Sequence, residues 1–141
     1  MILNHCKSMS TNQKMNAKNF DIDLEFGEVW EERVRKIFEN KGTIEVKTER
    51  DIWRTTGNIV IEIGYKGRPS GLSITDAEWW IHVLTSGGKF HTALIFKVKK
   101  LRQTVTELVT TGKADIMKGG DNNQSELVRV PLKELFNGKS D

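Results

Sequence analysis

Cysteine and proline are scarce in this sequence. The one cysteine among 141 residues, Cys6, rules out an internal disulfide and the paired cysteines of a zinc finger, which favours a reducing, intracellular setting. The two prolines, Pro69 and Pro131, both lie at boundaries between predicted segments, as expected for a residue that interrupts helices and sheets.

Long hydrophobic runs and a strong net charge are also missing. No run approaches the roughly 20 apolar residues of a membrane span, and polar residues directly follow Met1-Ile2-Leu3, which leaves no signal-peptide core. We therefore expect a cytoplasmic protein with no membrane contact. With 22 Lys and Arg against 19 Asp and Glu, the formal charge is +3, which permits a nucleic-acid partner but does not argue for one.

The periodicity of the sequence predicts an N-terminal tail followed by one folded domain. Residues 1–18 are polar and show neither helical nor strand periodicity, so we predict a disordered N-terminal tail there. Residues 19–141 hold periodic apolar segments in the order (β)αββαβαββα, which is typical of an α/β or α+β domain. The predicted strands are 20–26, 43–49, 58–64, 89–98, 113–118 and 126–130, and the predicted helices are 27–40, a segment from Thr75, 101–112 and 131–136.

The first two predicted helices each have one apolar face. The first would bury Trp30, Val34, Ile37 and Phe38. The second begins at Thr75-Asp76-Ala77-Glu78, which has the form of a capping box. It would bury Ala77, Trp80, Ile81 and Leu84, with His82 facing away.

The strands at 43–49 and 58–64 carry the most informative residues. Because the eight residues between them are too few for a crossover helix, we expect these strands to pair antiparallel. Side chains alternate along a strand, so Glu45 and Lys47 share one face, and Glu62 of the next strand can join them. The pattern thus predicts two carboxylates beside an ammonium group on one surface.

The first helix adds a third carboxylate. A rotation of about 100° per residue puts Glu31 at the edge of the apolar stripe, so packing of this helix on the sheet would turn Glu31 towards the strand carboxylates. Clustered carboxylate oxygens need a cation, and with Lys47 alongside they suit Mg²⁺ or Mn²⁺ bound partly through water and phosphate. The alternative is a solvated strand face with cross-strand ion pairs.

Around these residues the sequence resembles a known family. The segments IEVKTE (44–49), TGNIVIE (56–62), GRPSG (67–71) and TDAEWW (75–80) occur in this order, followed by GGDNN (119–123) and VPL (130–132). This ordered set is similar to small phage and bacterial proteins of the PD-(D/E)xK nuclease superfamily. The resemblance covers roughly residues 20–136.

The resemblance implies a restriction-endonuclease-like core, with a central mixed sheet flanked by helices and a Mg²⁺ or Mn²⁺ cofactor. Glu45 and Lys47 would be the (D/E)xK pair, and Glu31 the acidic residue that some members carry on a helix. Glu45 would hold the metal together with Glu62 or Glu31. The sequence departs from the family pattern because residues 40–44 contain no carboxylate, whereas an acidic residue usually precedes the motif there.

Five residues near the two strands are candidates for nucleic-acid binding: Arg50, Trp53, Arg54, Lys66 and Arg68. Cations with an aromatic among them suit a phosphate backbone and an unstacked base. The alternative is a pair of solubilising loops, with Trp53 packed on the core.

Two functions follow as hypotheses. The first is a Mg²⁺-dependent deoxyribonuclease of a phage or bacterium that hydrolyses phosphodiester bonds, with branched or phage DNA among its candidate substrates. Glu62, Glu49 or Glu31 would then replace the missing acidic residue. The second is a catalytically inactive nucleic-acid-binding or phage accessory protein with the same fold. A small nuclease needs a partner to cut both strands at once, so a homodimer is a further expectation.

Overall fold

The structure, a computed structural model, describes residues 27–39 and 43–137. The chain divides into two units, one ending at Asn40 and the other beginning at Lys41. The predicted tail at 1–18 and the predicted strand at 20–26 lie outside the described residues. No helix in the described ranges has both the length and the apolar character needed to cross a membrane.

The first unit contains the helix α1, at residues 27–39, and these bounds confirm the predicted helix. Of its predicted apolar stripe, Ile37 is buried, whereas Trp30, Val34 and Phe38 are exposed. The prediction of a buried face is therefore wrong at those three positions. The Trp30 ring instead contacts Arg33, whose guanidinium carbon lies 4.5 Å from the ring centre, a contact that a ring open to water can make.

Within residues 43–137 the chain forms seven strands and three α-helices. They are β1 (Ile44–Glu49), α2 (Ile52–Thr56), β2 (Asn58–Tyr65), β3 (Arg68–Pro69), β4 (Trp79–Ser86), β5 (Lys89–Lys97), α3 (Val98–Thr110), β6 (Asp115–Gly119), β7 (Ser125–Pro131) and α4 (Leu132–Leu135). These bounds confirm the predicted strands that became β1, β2, β5, β6 and β7 and the predicted helices that became α3 and α4, with ends shifted by a few residues. Short 3₁₀ turns lie at Gly71–Ser73 and Asp121–Asn123.

The strands form two sheets. In the first, the mixed sheet, β1 lies parallel to β4, and β4 pairs antiparallel with β5. In the second, the antiparallel sheet, the order is β3-β2-β7-β6 and every neighbouring pair is antiparallel. Mixed and antiparallel sheets with flanking helices confirm the α+β class, with two sheets where one central sheet was expected.

One hydrophobic core joins both sheets to α3. Its buried residues include Ile59 and Ile61 of β2, Trp80 and Leu84 of β4, Leu101, Val105 and Leu108 of α3, and Val128 and Val130 of β7. Spacings of three and four residues put the α3 members on one helix face, and even spacings of two or four residues do the same on each strand. Because each such side chain stabilises the fold by roughly 1.5–3 kcal/mol, this shared core fixes the two sheets against each other.

The predicted pairing of the first two strands is wrong. β1 pairs with β4, which places Glu45 opposite Trp80 and Lys47 opposite His82, while β2 pairs with β7 in the other sheet. The connection between β1 and β2 is not a hairpin turn, because Ile52–Thr56 forms the helix α2. After α2 the chain continues as β2, which belongs to the other sheet. The shortness of this connection was therefore not evidence that β1 and β2 pair with each other.

The predicted second helix is also wrong, since Trp79–Ser86 is the strand β4. Thr75 does act as a local cap, because its Oγ1 accepts a hydrogen bond from the Ala77 N–H at 3.3 Å, but this contact closes a turn rather than starting a helix. The aromatic and β-branched residues that follow favour a strand. The Gly87-Gly88 turn, with both residues at positive φ, then returns the chain as β5. His82, expected on a polar helix face, is buried.

Candidate functional site

The strand β1 alternates as predicted between charged and uncharged faces. Glu45, Lys47 and Glu49 are partly buried, whereas Val46 and Thr48 are exposed. The charged face is the more enclosed one because buried β4 residues lie beside it in the sheet register. The three charged side chains of β1 therefore contact both solvent and neighbouring protein groups.

Glu45 and Lys47 form a half-exposed ion pair on this face. The Lys47 Nζ lies 2.7 Å from Glu45 Oε1, and the two side chains are 40% and 32% exposed. The Lys47 ammonium is also 5.9 Å from the centre of the Trp80 ring. The Thr75 hydroxyl approaches Glu45 Oε2 at 3.4 Å, which is a long hydrogen bond. Glu45 thus has one close partner, which water also reaches.

Glu62, on β2, has a different environment. The Ser70 hydroxyl donates to Glu62 Oε1 at 2.7 Å, and the Ser125 hydroxyl donates to Glu62 Oε2 at 2.9 Å. Ser125 is buried, and the Ser70 N–H bonds to the Ile63 carbonyl at 3.0 Å, so neither donor is free to leave. Both oxygens of this carboxylate therefore hold fixed protein partners.

Residues 70–75, the linking loop, connect the two carboxylates. Ser70 at one end contacts Glu62, and Thr75 at the other end contacts Glu45. Gly71 sits against the Glu62 backbone so closely that a Cβ there would lie 2.3 Å from the Glu62 carbonyl oxygen, at a φ of +51°. Only glycine suits this position, because a side chain would meet both a clash and the left-handed region.

An arginine that sequence reasoning missed fixes the linking loop to α3. Arg102 Nε donates to the Leu72 carbonyl at 2.7 Å, and a second guanidinium nitrogen donates to the Thr75 carbonyl. Several donors in one planar group suit two neighbouring carbonyls. The loop that contacts both carboxylates is therefore held by a partly buried side chain.

The structure brings Glu45 and Lys47 together but does not bring the predicted carboxylates onto one strand pair. Glu45 and Glu62 belong to different sheets, and Glu31 is on α1 in the first unit. Among residues 27–39 and 43–137, no three His, Cys, Asp or Glu side chains are grouped so as to hold one metal ion. Hard carboxylate oxygens remain a fit for Mg²⁺, which takes one or two carboxylates and completes its shell with water and phosphate.

A second polar feature missed from the sequence is a buried chain of contacts from β4 to β2. Trp80 Nε1 donates to His82 Nδ1 at 3.3 Å, so the proton of a neutral His82 lies on Nε2. That nitrogen is 3.5 Å from Glu49 Oε2, which accepts the Val60 N–H at 2.8 Å. The spacing of Trp80 and His82 would have revealed the contact had β4 been recognised as a strand. Glu49 therefore ties the edge of the mixed sheet to the antiparallel sheet.

The five candidate nucleic-acid contacts fall into two groups. Arg50, Trp53 and Arg54 precede β2, and Lys66 and Arg68 follow it. An eight-residue strand spans roughly 25 Å, so the groups lie at opposite ends of β2. The four cations are exposed, whereas Trp53 is partly buried against the core.

A cavity of about 300 Å³ lies between α3 and α4, and Lys100, Glu107, Lys113 and Glu134 are among its lining residues. It contains none of the predicted site residues. Glu134, whose side chain is 15% exposed, has its Oε2 3.3 Å from Lys113 Nζ. The candidate chemistry lies instead on the half-open face of β1, which suits an extended substrate better than an enclosed small molecule.

Comparisons with known proteins gave no match: no family model, no curated protein and no solved structure matches the chain.

Proposed function

We propose that this protein is a metal-dependent endonuclease that hydrolyses phosphodiester bonds in DNA, on a restriction-endonuclease-like core. The observation that carries this proposal is the Glu45–Lys47 ion pair, 2.7 Å apart and half exposed on one face of β1. A carboxylate and an ammonium group spaced two residues apart on a strand are the pair that the resemblance assigns to catalysis. Their exposure leaves room for a phosphate group.

Glu45 is the carboxylate that would hold Mg²⁺ or Mn²⁺, with Glu62 as the candidate second ligand within residues 43–137. When bound, such an ion activates water and neutralises charge on a phosphoryl group. The partly exposed Glu45 oxygens suit this role, because the long Thr75 contact and the solvent-accessible Lys47 ammonium can both be exchanged for a ligand. Glu62 suits it less, because a metal would have to displace a serine hydroxyl.

Lys47 would act on the phosphate. Its ammonium carries three donors and rests between Glu45 and the face of Trp80, from which it reaches a non-bridging oxygen or the attacking water. Hydrolysis then adds water across one bridging P–O bond and leaves a phosphomonoester and a hydroxyl group. Positive charge at the non-bridging oxygens stabilises the transition state more than the ground state.

The test is cleavage of labelled linear, branched and single-stranded DNA by the full chain in Mg²⁺, Mn²⁺ and EDTA. We expect metal-dependent cutting that Lys47→Ala reduces about 100-fold or more. Lys118→Ala is the matched control, because Lys118 is also a strand lysine paired with a glutamate, Glu126, at 3.7 Å, and its loss should leave cutting unchanged. No cutting by wild-type protein in either metal would contradict the proposal.

A second candidate is a nucleic-acid-binding protein that does not cut. Two observations favour it: the described ranges hold no three-residue metal group, and both Glu62 oxygens are occupied by serine hydroxyls. A binder of this kind holds DNA equally well in EDTA and in Mg²⁺, and its affinity falls with salt as phosphate contacts are lost. Binding without cutting under all metal conditions would favour this candidate.

A further inference from the structure

His82 is a buried histidine that the proposed hydrolysis does not use. Its side chain is 2% exposed, and it lies beside Lys47 because the parallel register of β1 and β4 places the two residues opposite each other. Histidine is polar at both ring nitrogens, and buried polar groups in folded proteins have hydrogen-bond partners. The contacts of the two nitrogens therefore indicate what this side chain does.

The first contact of His82 fixes the Trp80 indole. Trp80 Nε1 donates to His82 Nδ1 at 3.3 Å, and the two rings are stacked at an interplanar angle of 23° with their centroids 6.5 Å apart. Trp80 is 0% exposed, so solvent does not offer its N–H another acceptor. Because a buried indole N–H without an acceptor is costly, the hydrogen bond to His82 holds the Trp80 ring in one orientation.

Trp80 in turn contacts Lys47. The Lys47 Nζ lies 5.9 Å from the centre of the Trp80 ring, within the distance at which an ammonium group is attracted to an indole face. The same ammonium is 2.7 Å from Glu45 Oε1. Lysine carries its charge on a flexible four-carbon side chain, so these two contacts restrict where the Lys47 charge lies.

The other ring nitrogen of His82 is close to β1. His82 Nε2 lies 3.5 Å from Glu49 Oε2, and that oxygen accepts the Val60 N–H at 2.8 Å. Glu49 and Lys47 share one face of β1, since they are two residues apart on a strand. The contacts thus leave β1 at Glu49 and return to it at Lys47, with two side chains of β4 between them.

We propose that His82 is a positioning residue: through the Trp80 indole it holds the Lys47 ammonium where that group reaches a phosphate oxygen. The inference rests on the proposed function and adds to it a buried residue that does not touch the substrate. Without an acceptor at His82, the indole ring loses its fixed orientation and the Lys47 charge spreads over several positions. The chemical step then slows, because its rate depends on how precisely the catalytic group is placed.

The first test compares His82→Phe with His82→Asn in the Mg²⁺-dependent cleavage of DNA by the full chain. Phenylalanine keeps a ring but offers no acceptor, whereas asparagine keeps an acceptor oxygen on a short side chain. We expect His82→Phe to lower kcat about tenfold while KM stays within about twofold of wild type. His82→Asn should recover most of this loss.

The control for lost stability is Val128→Ala. Val128 is 1% exposed and lies on β7 in the antiparallel sheet, so its truncation destabilises the core without touching Lys47 or its contacts. Its kcat should equal that of wild type at a temperature where all variants are folded. Equal losses of kcat in Val128→Ala and both His82 variants would overturn the inference, because stability alone would then explain them.

NMR measures the positioning itself, without substrate or metal. The ε-methylene signals of Lys47 are assigned by their absence in Lys47→Arg, and the Trp80 indole N–H signal by its absence in Trp80→Phe. We expect both sets to shift in His82→Phe, to return towards their wild-type positions in His82→Asn, and to stay in place in Val128→Ala. Lys47 signals that do not move in His82→Phe would overturn the inference.

The two experiments separate this inference from the proposed function. Wild-type cutting of DNA with an unchanged kcat in His82→Phe would overturn the role of His82 alone. A folded wild type that cuts in neither Mg²⁺ nor Mn²⁺ would overturn the proposed function, and the Lys47 signals would still decide whether His82 positions that ammonium group.

Discussion

Glu45 on β1 and Glu62 on β2 are two strand glutamates that the linking loop contacts from its two ends, yet their surroundings differ. Glu45 faces a lysine that is itself half exposed, and its hydrogen bond from Thr75 is long. Glu62 accepts two short hydrogen bonds from serine hydroxyls, one of them buried.

This difference separates a group that can exchange partners from one that maintains the fold. A carboxylate held by fixed neutral donors gains stability from them and would lose it on binding a ligand. A carboxylate paired with an exposed ammonium loses little when that partner moves, because exposed ion pairs contribute at most about 1 kcal/mol. If the proposed function holds, the comparison favours Glu45 over Glu62 as the carboxylate that exchanges its partners for a metal ion.

The largest expected effect on stability is at Gly71, where the linking loop meets Glu62. An alanine there combines a left-handed φ with an overlap against the Glu62 carbonyl, so we expect Gly71→Ala to lower the free energy of unfolding by about 3 kcal/mol. Urea denaturation measures this change. Gly67→Ala is the control, because Gly67 has φ +75° but open space around a Cβ, and it should cost about 1 kcal/mol. Equal losses would mean that contact with Glu62 is unimportant.

Glu49 allows a second comparison with Glu45, because the two residues share one face of β1 but the Glu49 side chain is only 13% exposed. Removing its carboxylate leaves the Val60 N–H without its acceptor and His82 Nε2 without its neighbour. We expect Glu49→Ala to lower the free energy of unfolding by about 2 kcal/mol. Glu49→Gln, which keeps an acceptor oxygen, should cost less.

The control for Glu49 is Glu126→Ala. Glu126 is 42% exposed and its partner Lys118 is 3.7 Å away, so its removal should change the free energy of unfolding by about 0.5 kcal/mol or less. A Glu49→Ala protein as stable as this control would contradict the view that Glu49 links the two sheets.

The smallest expected changes in the free energy of unfolding come from removing the hydroxyl groups that donate to the two carboxylates. Ser125→Ala removes a buried donor to Glu62 and should destabilise the protein by about 1 kcal/mol. Thr75→Val removes the long contact with Glu45 while keeping the side-chain shape, and should cost no more than about 0.5 kcal/mol. Thermal and urea unfolding of the two variants measure the difference. A greater loss from Thr75→Val would reverse the comparison between the two carboxylates.

Local pattern predicted much of the secondary structure. The alternation of apolar and polar residues predicted β1 and β2, and the spacing of Leu101, Val105 and Leu108 predicted α3. Both patterns depend only on residues within one element. The face shared by Glu45 and Lys47 followed from the same alternation. The pairing of Glu45 with Lys47 on β1 is therefore the part of the candidate site that could be predicted from the sequence.

The sequence did not reveal which strands pair or what covers each face. Thr75 caps a turn as well as it would cap a helix, so the capping pattern could not distinguish the two. The partner of β1 is set by burial of Trp80, His82 and Leu84 on β4, a property of the whole core. Glu62 was therefore expected beside Glu45, whereas it lies in the other sheet.

The most direct test of the central claim, that Glu45 is the reactive carboxylate, is the rate of Mg²⁺-dependent DNA cleavage by Glu45→Gln. The exchange keeps the shape of the side chain and removes half of an exposed ion pair, so the free energy of unfolding should stay within about 1 kcal/mol of wild type. We expect the cleavage rate to fall about 100-fold or more, because the carboxylate charge that we propose as the metal ligand is lost. A folded Glu45→Gln protein that cuts DNA at the wild-type rate would contradict the claim.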